Sequence, residues 1–207
     1  MKKIKYSCFE RKGRGEINPF KLVRRWGRNI KYAYQRIRYG YCDRDIWSID
    51  SWFLGVFPNM LEDLKGTTHG YPNTHSVYSH ALVGTGAPEK VDEDGMDRWK
   101  DILSEMIFLF REANPDTCTQ VNKYKEEYDK AFEEFTKKYG LFGEKLLTED
   151  DKRETGSTRW YMLGDVPEYK EISNLYHDEC RRIDEYRNEC KDKGLDLLKK
   201  WFWNLWD

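Results

Sequence analysis

Apolar residues recur at steps of three and four through five separate stretches of the chain, and nowhere do they alternate residue by residue between hairpin turns. The first period lines up side chains along one stripe of an α-helix, whereas alternation would line one face of a strand. The pattern therefore predicts an all-α fold of five to six amphipathic helices.

Helix punctuation supports the same reading. The first stretch opens at Asn18 and Pro19, a capping amide followed by the residue suited to the first helical position. It carries Phe20, Val23, Trp26, Ile30, Ala33 and Ile37 on one stripe and ends at Gly40. The second runs from Asp43 to Lys65 on Ile46, Ile49, Phe53, Val56, Phe57, Met60 and Leu64. Pro58 inside it removes a backbone donor and crowds the carbonyl of Leu54, which predicts a kink or two shorter helices. A third starts near Met96, uses Trp99, Ile102, Leu103, Met106, Ile107 and Phe110, and stops at Asn114 before Pro115. A fourth covers Thr117 to Tyr139 and is closed by Gly140. The last is the longest: Asp165 caps it with Glu168 answering three residues on, and it passes Tyr169, Ile172, Tyr176, Cys180, Ile183 and Cys190. Gly194 interrupts it before an aromatic C-terminal run, Trp201 to Trp206.

Two long irregular loops, 66–95 and 141–166, and a basic N-terminal segment, 1–17, separate or precede these helices. With no internal repeat and no linker, 1–207 reads as a single helical domain. Helices one and two are expected to pair through Trp26, Ile30, Ile49 and Phe53, with the final helix packed across them. Charged residues at 35% would suit a disordered chain, but 15% aromatic residues supply the apolar area that disordered chains lack. No run approaches the ~18 apolar residues of a membrane span, and the first residues carry no apolar core for a signal peptide. A cytoplasmic protein with no membrane partner is the expectation. Five cysteines without a C-x-x-C pair are expected to be free thiols.

Certain runs carry a resemblance. Tyr39 to Asp50 reads YGYCDRDIWSID, followed by Trp52, Phe53 and Leu54, then Thr68, His69, Gly70, Tyr71 and Pro72. Downstream come Trp99, Ile102, Leu103, Met106 and Ile107, and the terminal Leu205, Trp206 and Asp207. This order resembles a group of uncharacterised proteins encoded in bacteriophages and prophages, many of them from gut-dwelling bacteria. The similarity covers residues 19 to 113 and, more loosely, the remainder. It implies a viral origin, hence a host-cell cytoplasm, and a mostly helical fold; it implies no reaction and transfers no catalytic residue. Small phage proteins outside the virion and the replication machinery are often host-takeover or counter-defence factors.

The net charge of -1 conceals a division: up to Arg44 there are 14 Lys or Arg against 3 Asp or Glu, and afterwards 22 against 34. Arg24, Arg25, Arg28, Lys31 and Arg36 lie opposite the apolar stripe of the first helix, with Arg38 at its end. Guanidinium forks match phosphate oxygens, and clustered cations release counterions on binding, so this face predicts capture of a phosphate-bearing ligand, nucleic acid or nucleotide, or of a host protein that handles one. Tyr34, with Tyr32, Tyr39 and Tyr41, is placed to stack on bases. The competing reading is internal: Glu126, Glu127, Asp129, Glu133 and Glu134 pair with the head, or do so on a second copy, giving a homo-oligomer. Asp50, at the edge of the second stripe, is expected to form an ion pair with Arg24, Arg28 or Arg36, or to orient a histidine. His69 and Tyr71 belong to a turn in which Gly70 permits a left-handed backbone and Pro72 sets the exit, and they complete the candidate ligand-binding set.

Catalysis finds little support. His69, His75 and His80, followed by Asp92, Glu93 and Asp94, allow a metal-dependent hydrolase as an alternative, but their spacing matches no compact metal motif. His177 and Cys180, one turn apart, read as core residues. Gly84 to Lys90 looks like a phosphate cradle without the preceding strand or the G-K-[ST] it would need. No catalytic residue, metal or cofactor is expected, and a binding function is preferred over an enzymatic one.

Overall fold

Local periodicity and caps decide most of the helix positions. The computed structural model describes residues 6–7, 9–10, 18–72, 89–148 and 160–206, and among them the regular structure is helical throughout, with no strand. The helices are α1 (Pro19–Tyr39), α2 (Asp43–Ile46), α3 (Ile49–Thr67), α4 (Glu89–Ala113), α5 (Lys125–Tyr139) and the long α6 (Lys170–Trp201). The all-α expectation, long C-terminal helix included, holds among the described residues. Asn18 accepts the Phe20 amide at 2.9 Å to start α1, and Gly40, with φ of 79°, receives the chain in the left-handed region while its N–H closes on Arg36 O at 3.0 Å.

The helices gather into two compact units, Met1–Thr117 with Cys190–Asp207, and Cys118–Glu189. In the first unit Leu61 of α3, Trp99, Leu103, Met106, Ile107 and Phe110 of α4, and Trp201 of α6 form one buried cluster. Phe53 and Phe57 stack at 4.8 Å and both set their edges against Phe110, at 5.2 and 5.6 Å. Trp99 meets Trp201 edge-on at 5.7 Å. Burying each of these large side chains contributes about 1.5–3 kcal/mol, so this cluster is the main source of stability in the unit. In the second unit Phe135 of α5 packs with Leu163 and Tyr169, and Tyr128 stacks on Tyr176 at 4.0 Å.

Several boundaries differ from expectation. The stretch from Asp43 divides at Trp47 and Ser48, not at Pro58, because Asp45 turns back to accept the Cys42 amide at 2.8 Å and closes a single turn. Helix α3 continues through Pro58: the Leu54 carbonyl, which a proline at 58 cannot serve, receives the side-chain amide of Asn114 at 3.2 Å instead. Helix α4 begins at Glu89, inside the expected 66–95 loop, and Gly95 does not break it. Gly95 gives room to the ring of Tyr71, which any Cβ there would overlap. Helix α5 begins at Lys125, not Thr117, because Asn122 is drawn off to donate to Tyr176 O at 2.9 Å and to cap the Tyr124 amide at 2.9 Å.

The last helix also begins later than expected. Asp165 accepts the Met162 amide at 2.8 Å and so caps a short 3-10 turn, Leu163–Asp165, while Glu168 pairs with Lys138 at 2.9 Å. Gly194 does not interrupt α6; it forms a notch for Phe110, whose ring carbon lies 3.1 Å from where a Cβ would stand. The pairing expected of helices one and two is not formed. Trp26, Ile30 and Ile49 are all exposed, while Phe53 turns to α4, and the end of α6 packs on the α3 and α4 cluster.

A candidate docking surface on helix α1

Helix α1 is attached by its charged side. Arg28 grips Glu10 with two hydrogen bonds, 2.6 Å from Nε and 2.5 Å from Nη2, and Asn29 exchanges bonds with the Glu10 backbone at 2.9 and 3.3 Å. One turn on, Lys31 donates to Asp43 at 2.7 Å and Gln35 to its other oxygen at 2.6 Å, while Gln35 Oε1 accepts the Asp43 amide at 3.1 Å. Arg36 then reaches Asp45 at 2.7 Å. Asp45 is 3% exposed and also accepts from the Tyr6 hydroxyl at 2.9 Å; the Arg36 guanidinium stands 5.3 Å from the Tyr6 ring. Arg25 is buried.

The titration of these groups follows the pairing. Burial pushes the Asp45 carboxyl up, but the hydrogen bonds from Arg36, the Cys42 amide and Tyr6 outweigh it and hold the group below the usual carboxylate range. Glu10 is lowered chiefly by the hydrogen bonds of Arg28, and Asp43 by those of Lys31 and Gln35. Burial, with the Asp45 carboxylate beside it, pushes the Tyr6 phenol up to about 12.

With its charged side held inward, α1 turns its apolar stripe outward. Val23 is 72% exposed, Trp26 65%, Ile30 67%, Tyr34 62% and Ile37 88%. The sequence assigns this stripe to the core, and the structure reverses that assignment. An ion pair needs one carboxylate at one distance, whereas an apolar stripe needs a matching surface along about 31 Å of helix. Glu10, Asp43 and Asp45 supply the former, and the cluster around Trp99 is completed by α3, α4 and α6 without α1.

The ten candidate binding residues do not converge. Arg28, Lys31 and Arg36 engage carboxylates, Arg25 is buried, and Arg24 and Arg38 stand exposed, the latter 5.9 Å from the ring of Tyr39. Tyr34 lies on the outward apolar stripe. Asp50 makes none of its expected ion pairs: it accepts the Ser48 hydroxyl at 2.8 Å at the start of α3, and that bond, with the Ser51 amide, lowers its carboxyl. His69 and Tyr71 lie just beyond the other end of α3, about 28 Å along the helix axis from Asp50. His69 is exposed, and Tyr71 packs against the core cluster, where it shares a small pocket of about 70 Å³ with Gly70, Pro72, Trp99, Asn204 and Trp206.

Among the described residues no three histidine, cysteine or acidic side chains gather as a metal would require. His75, His80, the side chain of Asp92 and most of the Gly84 to Lys90 cradle lie outside the described residues. His177 is exposed, not in the core; its ring sits edge-on to Tyr128 and Tyr176 at 5.9 and 5.4 Å, while Cys180 accepts from Asn122 at 3.2 Å. Cys42, Cys118, Cys180 and Cys190 are free thiols, as expected. On the acidic helix α5, Asp129 pairs with Lys125 at 2.9 Å and Glu133 lies 4.0 Å from Lys137.

Sequence reasoning missed Tyr6 and Glu10, the residues that anchor the segment before α1. Glu10 carried a readable signal: it is one of only three acidic residues before Arg44, so an arginine partner was nearly forced. Tyr6 carried none. No protein-family model matches the chain, and the searches of curated proteins and of solved structures found no match.

Proposed function

We propose that the protein is a non-catalytic, phage-encoded accessory factor that works by stoichiometric capture, docking through α1 on a phosphate-bearing target. Counter-defence is one role that such capture serves. The observation that carries the reading is the orientation of α1. Its 21 residues include seven Lys or Arg and no Asp or Glu. Lys21, Arg24 and Arg38 are exposed and meet no carboxylate among the described residues, while an apolar face is turned outward beside them. Such a helix contributes little to the core and has its binding groups already placed.

The test is charge reversal at the exposed cations. Arg24→Glu with Arg38→Glu is expected to weaken binding to a panel of phosphate-bearing probes (a single-stranded oligonucleotide, a nucleotide and anionic phospholipid vesicles) by tenfold or more and to flatten its salt dependence. Unchanged affinity for every probe, with no effect of salt, refutes the reading.

A further inference from the structure

We infer that α1 is an interfacial helix that lies on an anionic phospholipid surface, its apolar face at the acyl boundary and its edge cations among the headgroup phosphates. This rests on the reading above, that α1 docks on a phosphate-bearing target, and names that target's class. The decisive juxtaposition is one of chemistry along α1. Val23, Ile30 and Ile37 recur every seven residues, and each is followed at once by a cation, Arg24, Lys31 and Arg38. Seven residues are nearly two full turns, so an exposed apolar row runs along the helix beside a basic row in which Arg24 and Arg38 stand exposed and Lys31, between them, holds Asp43. A phospholipid layer offers hydrocarbon and phosphate in two adjoining strata, and a helix lying in its plane meets both. A nucleic acid bound to the basic row would leave Val23, Ile30 and Ile37 in water.

The other occupants fit less well. A second copy docked α1 against α1 would bring the exposed cations Arg24 and Arg38, at the edge of each apolar face, against a helix that carries no carboxylate to meet them, in either direction of pairing. Trp26, Tyr34 and Tyr39, apolar bodies with polar tips, are the side chains that settle at a membrane interface, and all three are exposed on α1. The chain up to and including Arg44, with 14 cations and 3 acids, adds the attraction to anionic lipid that a single apolar face needs for firm attachment. Among the described residues no helix is long and apolar enough to cross a membrane. That fact, which underlay the expectation of no membrane partner, does not bear on a helix lying in the surface, where separation of the two faces matters and spanning length does not.

The experiment uses the full chain and three probes. These are extruded vesicles of phosphatidylcholine alone, vesicles of phosphatidylcholine with one quarter phosphatidylglycerol, and a 20-nucleotide single-stranded DNA, with the sedimentation-derived mass followed against concentration. The expected result is at least tenfold stronger partition onto the anionic vesicles than onto the neutral ones, weakened by salt. Ile30→Ser with Ile37→Ser should lower it by at least tenfold with the fold intact by circular dichroism, since both side chains already face solvent. Several results overturn the inference. DNA binding lost on reversing Arg24 and Arg38, with no vesicle binding, overturns it and leaves the broader reading standing. A dimer that the serine variant abolishes, again without vesicle binding, identifies a second copy as the occupant. Vesicle binding unchanged by the serine substitutions is plain charge adsorption and excludes an interfacial helix. No binding to any probe refutes both proposals.

Discussion

Asn114→Ala is expected to unfold the first unit more readily by removing a hydrogen bond whose need arises 56 residues earlier, at Pro58. Its side-chain amide donates to Leu54 O at 3.2 Å, its Oδ1 accepts the Asp116 amide at 2.9 Å, and the residue is 5% exposed. In an unbroken helix Leu54 O would take the N–H of residue 58, which proline lacks. Alanine at 114 leaves a part-buried carbonyl without a donor, costing about 1–2 kcal/mol, and loses one turn bond worth roughly 0.5–1 kcal/mol. The single substitution should therefore destabilise by about 1.5–3 kcal/mol in a urea titration monitored by circular dichroism. Pro58→Ala restores an N–H at the right position, so in the Asn114→Ala background it supplies the missing donor. The double variant should then be more stable than the sum of the single changes implies, by about 1–2 kcal/mol. Pro58 is fully buried, and its own packing loss enters the single and double variants alike. If the two changes add to within about 0.5 kcal/mol, the carbonyl is not shared between these partners and the account of how α3 passes Pro58 is wrong.

Three further outcomes test other parts of the structure. Ile30→Ser should change the unfolding free energy by no more than about 0.5 kcal/mol, because the side chain is already in water; a loss of about 2 kcal/mol or more, of the order expected for a core isoleucine, would show that the stripe of α1 is buried after all. Trp99→Ala, by contrast, should cost about 3–5 kcal/mol, read as a large fall in the thermal midpoint, since the ring is 1% exposed and packed on Trp201. Around Asp45 the effect depends on pH: its folded carboxyl titrates below the unfolded value of about 3.9, so its stabilisation is present above that value and is lost as pH falls through the lower folded one. Asp45→Asn should therefore be destabilised at pH 7 and lose less on acidification than the native chain. Hydrogen exchange should place the opening in residues 19–46, and uniform opening of α3 and α4 would contradict the attachment described for α1.

Much of the fold was legible because its signals are short-ranged. Asn18 finds its acceptor role two residues away, Gly40 supplies a conformation that its own lack of a Cβ permits, and Gly140 ends α5 in the same manner, with φ of 92°. The misread boundaries turn on choices among partners, some three residues away, as for Asp45 with Cys42 and Asp165 with Met162, and some distant in sequence. Asp165 suits a cap on either side of itself and takes the Met162 amide behind it; Gly194 reads as a break because Phe110, which fills its notch, is 84 residues away in sequence. The candidate site suffered more, since Asp50, His69 and Tyr71 were joined to the arginines by chemical type, and the length of α3 alone separates them.

The sequence by itself determined that this chain is helical, where α1 begins and where α1, α4 and α5 end, and that its basic charge is concentrated up to Arg44, because period, caps and composition are properties of neighbours along the chain. Only the tertiary structure decided which side of α1 faces in. Two sides of one helix offered themselves, an apolar stripe and a row of cations, and the choice turned on what lay within reach: Glu10, Asp43 and Asp45 stand where the cations can meet them, and the core around Trp99 closes without α1.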